Sequence, residues 1–341
     1  MKIAFFDSKS YDIQAFDKYN NEFENEFKYF DTRLTKDTVY LVKGFDGICI
    51  FVNDVVDKDV IDKLVEYNIK FILLRCAGYN NVDIEYCYNK IHVFRVPAYS
   101  PYAVAEHTMA LLLTLVRKIH KAYIRTRNFN FNIEGLQGFD LHNKTIGIIG
   151  TGKIGKVFID ICKGFGMNVI CYDRFQSENL NYVSLDELFE KSDIISLHCP
   201  LNRESHHIIN SDSITKMKRN PIIINTSRGG LINTKDLIKA IKNKQISGAV
   251  LDVYEEESNI FYKDYSSEII EDETLLELIS LPNVIVTSHQ AYLTNEALDN
   301  IAEITIKNLN DYLQKGFNEN ELCYGCGKVD ECMKNRNQKC F

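Results

Sequence analysis

Thr145-Ile-Gly-Ile-Ile-Gly150-Thr-Gly152-Lys-Ile-Gly155 is the stretch that decides the fold. An apolar, β-branched run delivers three glycines to a turn and continues as a helical segment. Gly150 permits the tight turn, Gly152 lets backbone amides approach an anion, and Gly155 lets the helix pack close to the strand. The helix N-terminus adds partial positive charge, so the arrangement is a socket for a pyrophosphate. A glycine string alone is weak evidence; its context here is specific. A second strand, Met167-Asn-Val-Ile-Cys-Tyr-Asp173, ends in a carboxylate roughly 20 residues beyond the glycines, where an acid accepts hydrogen bonds from ribose hydroxyls. Asp173 therefore favours NAD and repels a 2′-phosphate, and the neighbouring Arg174 reads as a solvated surface residue.

Working outward, short β-branched runs alternate with helical segments along the whole chain, the pattern of parallel sheets covered on both faces. Strands are expected at residues 2–6, 47–52, 71–74 and 93–96, then at 145–149, 168–172, 194–198, 222–225, 248–253 and 284–287. Ser100-Pro101 starts a long helix expected to reach about residue 127, and another is expected from residue 294 to about 313. The expected fold is α/β, with two Rossmann- or flavodoxin-like parallel-sheet lobes and a cleft between them. Residues 1–99 and 294–341 would form one discontinuous domain, and residues 100–293 the nucleotide-binding domain.

Composition narrows the function. A 341-residue chain with 45% hydrophobic and 26% charged residues is an ordinary globular protein. A net charge of −7 argues against nucleic acid and anionic membranes as partners. The charged N-terminus and the brevity of Met109-Ala-Leu-Leu-Leu-Thr-Leu-Val116 argue against a secretory signal or a membrane span, so a cytoplasmic protein is expected.

In an open α/β sheet ligands bind beyond the carboxyl ends of the strands. Three successive strands end in Asn225-Thr-Ser-Arg228-Gly-Gly230, Asp252-Val-Tyr-Glu255-Glu256-Glu257 and Thr287-Ser-His289-Gln290. Reduction of a carbonyl group needs a hydride at carbon and a proton at oxygen. Histidine beside a carboxylate suits the proton, and the planar fork of arginine suits a carboxylate on a substrate. Spacing alone leaves open which of the three glutamates meets His289.

These segments, with Arg75-Cys-Ala-Gly-Tyr-Asn-Asn-Val-Asp83, Val96-Pro-Ala-Tyr-Ser-Pro101 and Ala103-Val-Ala-Glu-His107, closely resemble the D-isomer-specific 2-hydroxyacid dehydrogenases. The likeness is nearest to their bacterial fermentative, NAD-dependent branch, and it runs over nearly the whole chain. It implies reversible NADH-dependent reduction of pyruvate to D-lactate, with a larger 2-oxo acid such as 2-oxoisocaproate as the alternative substrate. It implies that Arg228 holds the substrate, that His289 is the acid and base, and that Glu257 pairs with His289. Ala77, Gly78 and Tyr99 would contact the substrate carboxylate, and Phe51 and Tyr292 would wall the small end of the pocket. The expected cofactor contacts are Gly150, Thr151, Gly152, Lys153, Ile154, Gly155, Asp173, Cys199, Pro200, Thr226 and Asp252. A homodimer or homotetramer is implied, built on the helix after Pro101. A different class, an NAD(H)-sensing binding protein, also has relatives in this family, but the acidic balance and absence of long linkers favour the enzyme.

Ten cysteines in such a chain read as reduced thiols. Four crowd the end: Cys323, Cys326, Cys332 and Cys340. A Cys-x-x-Cys pair supplies half of a thiolate metal site, but the spacing matches no standard zinc pattern. A reduced extension is the expectation, with metal binding as the lesser reading.

Overall fold

The computed structural model describes residues 1–324, apart from Glu22, Glu24 and Arg219. The chain divides into two units, Met1–Ser100 with the chain from Leu293 onward, and Pro101–Tyr292.

The first unit begins β1 (Lys2–Phe5), α1 (Ser10–Asn20), β2 (Glu26–Tyr29), β3 (Gly47–Ile50), α2 (Lys58–Glu66), β4 (Phe71–Leu74), α3 (Ile84–Cys87) and β5 (His92–Arg95). Its strands are all parallel in the order β2-β1-β3-β4-β5, the flavodoxin-like winding. Alternation along each strand divides the apolar residues between two faces. Ile48, Ile50, Ile72 and Leu74 share a core with Val60, Ile61 and Leu64 of α2. Phe5 turns the other way and meets Phe16 of α1 edge-on at 4.8 Å. The pattern of the sequence did not single out β2, because this edge strand exposes Glu26 and Lys28 and only half buries Phe27 and Tyr29.

At the end of β4 the guanidinium of Arg75 is buried between the rings of Phe5 and Phe51, at 4.4 and 4.8 Å from their centroids. Its Nη2 donates to the Asp7 carbonyl at 2.8 Å, and its Nε lies 3.5 Å from Asp12. Nearby, Asp54 accepts the amides of Leu34 and Phe51 at 2.7 and 2.6 Å, while burial pushes its carboxyl up to about 6.

The second unit contains α4 (Pro101–Val116), α5 (Ile119–Arg127), β6 (Thr145–Ile149), α6 (Lys153–Gly164), β7 (Asn168–Tyr172), α7 (Leu185–Lys191), β8 (Ile194–Leu197), α8 (Ser211–Thr215), β9 (Ile222–Asn225), α9 (Thr234–Lys242), β10 (Gly248–Leu251), α10 (Glu273–Ser280) and β11 (Val284–Val286). Six parallel strands run in the order β11-β10-β9-β8-β6-β7. A bridge from Tyr182 to Cys171 stands beside β7, in the position of an outer strand. Both faces are covered: Ile222, Ile224 and Val250 join the core with Leu112 of α4 and Phe158 of α6, whereas Ile223, Ala249 and Leu251 join the one with Leu237 of α9 and Leu278 of α10.

The single long helix expected to residue 127 is instead two. Lys118 takes a left-handed conformation, φ +52°, between α4 and α5, and α5 buries none of its residues, so no packing holds the two helices in one line.

The chain returns to the first unit as α11 (Asn295–Lys315), capped by the Thr294 hydroxyl at one end and by left-handed Gly316 at the other. This helix packs on α1, β4 and β5. Beyond it Glu321 pairs antiparallel with Phe94, the Leu322 amide donates to Val93 at 2.7 Å, and the buried Glu321 carboxylate lies 2.7 Å from His92 Nδ1. Among the described residues no helix is long and apolar enough to cross a membrane.

Candidate active site

Strand β6 lies between β7 on one side and β8 on the other, all parallel, so the winding reverses beside it and a crevice opens there. A cavity of about 420 Å³ lies there, lined by Gly150, Thr151 and Gly152 after β6, Asp173 after β7, and His198, Cys199 and Pro200 after β8. The glycines divide their work as the chemistry requires. Gly150 has φ +101°, and a side chain there would strike the backbone of His198 and Cys199. A Cβ on Gly155 would stand 2.1 Å from the Gly150 carbonyl, so this glycine sets how closely α6 meets the turn. A Cβ on Gly152 would meet nothing within 4 Å, which leaves the start of α6 open to a phosphate. These features fit a dinucleotide. Lys153 is exposed and Ile154 half buried in the first turn of the same helix.

Asp173 accepts the Thr151 amide at 2.6 Å and hydroxyl at 3.1 Å on one oxygen, and the Phe175 amide at 2.9 Å on the other. Partial burial alone would raise its carboxyl, but the Thr151 and Phe175 amides outweigh that and hold it below the usual carboxylate range. Arg174 is not simply solvated: it pairs with Glu204, which also lines the cavity. Burial pushes the Cys199 thiol up to about 11, so it stays protonated. Thr226 is buried, with its hydroxyl 2.8 Å from that of Thr108 on α4.

The adjacent strands β9, β10 and β11 bring the chemical residues to one edge. Arg228 follows β9 by three residues. Asn225 braces its loop, accepting the Ser227 amide at 3.1 Å and donating to the Arg228 carbonyl at 2.8 Å. A Cβ on Gly229 would lie 2.1 Å from the Tyr254 carbonyl, so the arginine loop rests on the loop that carries the glutamates. Arg228 Nη1 donates to the Ser227 carbonyl at 2.7 Å, and no carboxylate among the described residues pairs with the guanidinium.

The three consecutive glutamates separate in space. Glu257 Oε1 lies 2.6 Å from His289 Nδ1, and its Oε2 accepts the Tyr254 amide at 2.8 Å. Glu255 instead meets His207 Nε2 at 2.5 Å. An ionised carboxylate only accepts, so Nδ1 of His289 carries the proton between them and Nε2 is the nitrogen that faces other chemistry.

His289 itself is left-handed, φ +54°, a conformation that costs a non-glycine residue roughly 1–2 kcal/mol. Its surroundings explain why it persists. Its amide donates to the Asp252 carbonyl at 2.7 Å, the next two amides donate to the Asp252 carboxylate at 3.0 and 2.8 Å, and the Tyr262 hydroxyl donates to the His289 carbonyl at 2.8 Å. Asp252 is fully buried and also accepts from Thr287 Oγ1 at 2.5 Å and faces His107 Nε2 at 3.4 Å. Burial alone would raise its carboxyl, but these donors together hold it below the usual carboxylate range. The anchoring roles of Asn225, Thr287, Tyr262 and His107 escaped the reading of the sequence. Asn225 and Thr287 were hinted at by their position at the strand ends and His107 by a quoted motif, whereas Tyr262, in the loop between β10 and α10, carried no signal.

The remaining candidates lie as follows. In the first unit Ala77 and Gly78 are half buried after β4, with Arg95 Nη1 donating to the Ala77 carbonyl at 3.0 Å, and Tyr99 is half buried after β5. Phe51 stacks on Arg75, as described above. In the second unit Tyr292 is 7% exposed. Cys323 is a half-buried free thiol, and Cys326, Cys332 and Cys340 lie outside the described residues.

Fold and site together define a nucleotide-dependent dehydrogenase. Residues 109–291 match the model of the D-isomer specific 2-hydroxyacid dehydrogenase, NAD binding domain. The chain is 47% identical over 329 residues to 2-hydroxyacid dehydrogenase homolog 2 of Schizosaccharomyces pombe, covering 94% of this chain and 99% of that one. It is 44% identical over 322 residues to D-lactate dehydrogenase of Escherichia coli, covering 93% and 98%. The apo-structure of D-lactate dehydrogenase from Escherichia coli superimposes with a TM-score of 0.86 at 42% identity, over 94% of this chain and 100% of that one. The chain belongs to the D-isomer specific 2-hydroxyacid dehydrogenase family. It is an NAD-dependent oxidoreductase.

Proposed function

We propose that the enzyme reduces pyruvate to D-lactate with NADH, reversibly. The observation that carries this reading is the Glu257–His289 pair at the same sheet edge as Arg228, which meets no carboxylate among the described residues, beside a cavity that fits a dinucleotide. Bound NADH supplies the hydride to the carbonyl carbon. His289 Nε2, protonated, gives its proton to the carbonyl oxygen, and Glu257 stabilises the imidazolium before that transfer. In lactate oxidation the neutral ring takes the proton back.

Arg228 is assigned to the substrate carboxylate and carbonyl, because its fork matches both and stays charged at any working pH. Ala77, Gly78 and Tyr99 are assigned to the carboxylate, and Phe51 and Tyr292 to the wall that favours a methyl group. Asp252 acts as a positioning residue through the backbone of residues 289–291, next to the nicotinamide end of the cofactor. The names of the relatives support lactate as the product.

The assembly is a homo-oligomer, supported by apolar residues facing outward along one stretch of the second unit: Tyr123, Phe129, Phe131 and Ile133, at 60%, 85%, 74% and 80% exposed. The described cysteines are all free thiols, which supports the cytoplasm.

Steady-state rates with NADH against pyruvate, 2-oxoisocaproate, hydroxypyruvate and phenylpyruvate test the substrate, with the chirality of the product determined. Pyruvate should give the highest kcat/KM and D-lactate the product. A higher value for 2-oxoisocaproate transfers the assignment to the larger acid, and absence of turnover with every acid refutes the enzyme reading.

A further inference from the structure

His206 and His207, on the turn between β8 and α8, converge with Glu255, on the loop after β10. Their ligand atoms all lie within 4.8 Å of one another. The two imidazoles stand face to face, with centroids 3.8 Å apart and planes tilted by 32°. The Glu255 carboxylate is divided between two tasks: Oε1 meets His207 Nε2 at 2.5 Å, and Oε2 accepts the Thr234 amide at 3.3 Å and hydroxyl at 3.1 Å.

The backbone beneath the histidines is fixed. The His206 amide donates to the Asn202 carbonyl at 2.9 Å, and the His207 amide to the Gly230 carbonyl at 2.9 Å. Asn210 Nδ2 donates to the His207 carbonyl at 2.8 Å, and His207 is held at φ +51°. A hydrogen-bonded His207–Glu255 pair would account for two of the three side chains. It gives no reason for an exposed second imidazole to stand over them.

We propose that His206, His207 and Glu255 bind one divalent transition-metal ion, of the zinc or nickel class, with water completing its coordination. Two imidazoles and one carboxylate form a donor set suited to these ions. They supply too few oxygens for calcium, which takes six to eight. Thr234 orients the carboxylate from its far side, which is the second-shell support that ligating carboxylates need.

The ion takes the place of the hydrogen bond between His207 and Glu255. It ties the turn after β8 to the loop that holds Asp252 and Glu257, without touching either of them.

The test is calorimetric titration of the full chain with Ni²⁺ beside its His206→Ala and Glu255→Gln variants. The cysteines near the end are present in all three proteins, so their binding cancels in the comparison. His206 is exposed, so His206→Ala should leave the His207–Glu255 pair, the fold and the dehydrogenase activity in place. The full chain should take up one more equivalent of Ni²⁺ than either variant, or bind it on the order of 100-fold more tightly at that site. Nickel should also raise the melting temperature of the unmutated protein more than that of His206→Ala. Equal stoichiometry and equal affinity in the unmutated chain and folded His206→Ala would overturn the proposal.

Discussion

Glu257 holds Nδ1 of His289 at 2.6 Å while its second oxygen is tied to the Tyr254 amide, so the carboxylate cannot swing away from the ring without breaking a backbone hydrogen bond. His289→Ala should lower kcat by about 100-fold to 10,000-fold. Glu257→Gln keeps the shape and removes the carboxylate that accepts from Nδ1, so it should lower kcat in both directions by about tenfold or more. Unchanged kcat in both directions would remove Glu257 from the mechanism.

Arg228→Lys keeps the charge and loses the fork. The KM for pyruvate should rise and kcat should fall, together at least 100-fold in kcat/KM, since a bidentate site does not accept a point charge as a substitute. A change below fivefold would remove Arg228 from the substrate.

Cofactor choice rests on Asp173, with Arg174 held by Glu204. NADH should exceed NADPH in kcat/KM. Asp173→Asn should narrow that gap by about tenfold, equivalent to about 1.4 kcal/mol. Adding Glu204→Gln should narrow it further by releasing Arg174 toward a 2′-phosphate. Equal use of both cofactors by the unmutated protein would refute the role of Asp173.

Burial beneath the glycine turn holds the His198 imidazole down at about 3, against 6.5 for an exposed ring. Between those values the unfolded chain carries the extra proton, so stability should rise with pH across that window, by up to about 1.4 kcal/mol per unit from this residue. His198→Gln should flatten the slope. Urea denaturation at a series of pH values measures it, and an unchanged slope in the variant would reject the assignment.

Much of this was legible because buried parallel strands spell themselves out. Ile222-Ile-Ile-Asn225 and Gly248-Ala-Val-Leu251 are apolar on both faces, and the polar residues after them fall where ligands bind. Edge strand β2 lacked that signal, since the face of Glu26 and Lys28 meets water and the face of Phe27 and Tyr29 is only half buried. The break at Lys118 had no glycine or proline to announce it. The distinction between Glu255 and Glu257 was hidden for another reason: their partners, His207 and His289, lie 48 and 32 residues away on different strand ends, and only the fold assigns them.

The second unit is one uninterrupted run of chain, whereas the first needs its last strand-like segment at Glu321 to cover β5 and pair with His92. On the ribosome, the nucleotide-binding unit has all its residues before α11 is made. The earlier-born first unit must wait, with the Phe94 edge unpaired, until nearly the whole chain has been synthesised. Premature termination between Tyr292 and Glu321 therefore yields a finished cofactor-binding unit attached to an unfinished partner with an open sheet edge, a form prone to aggregate.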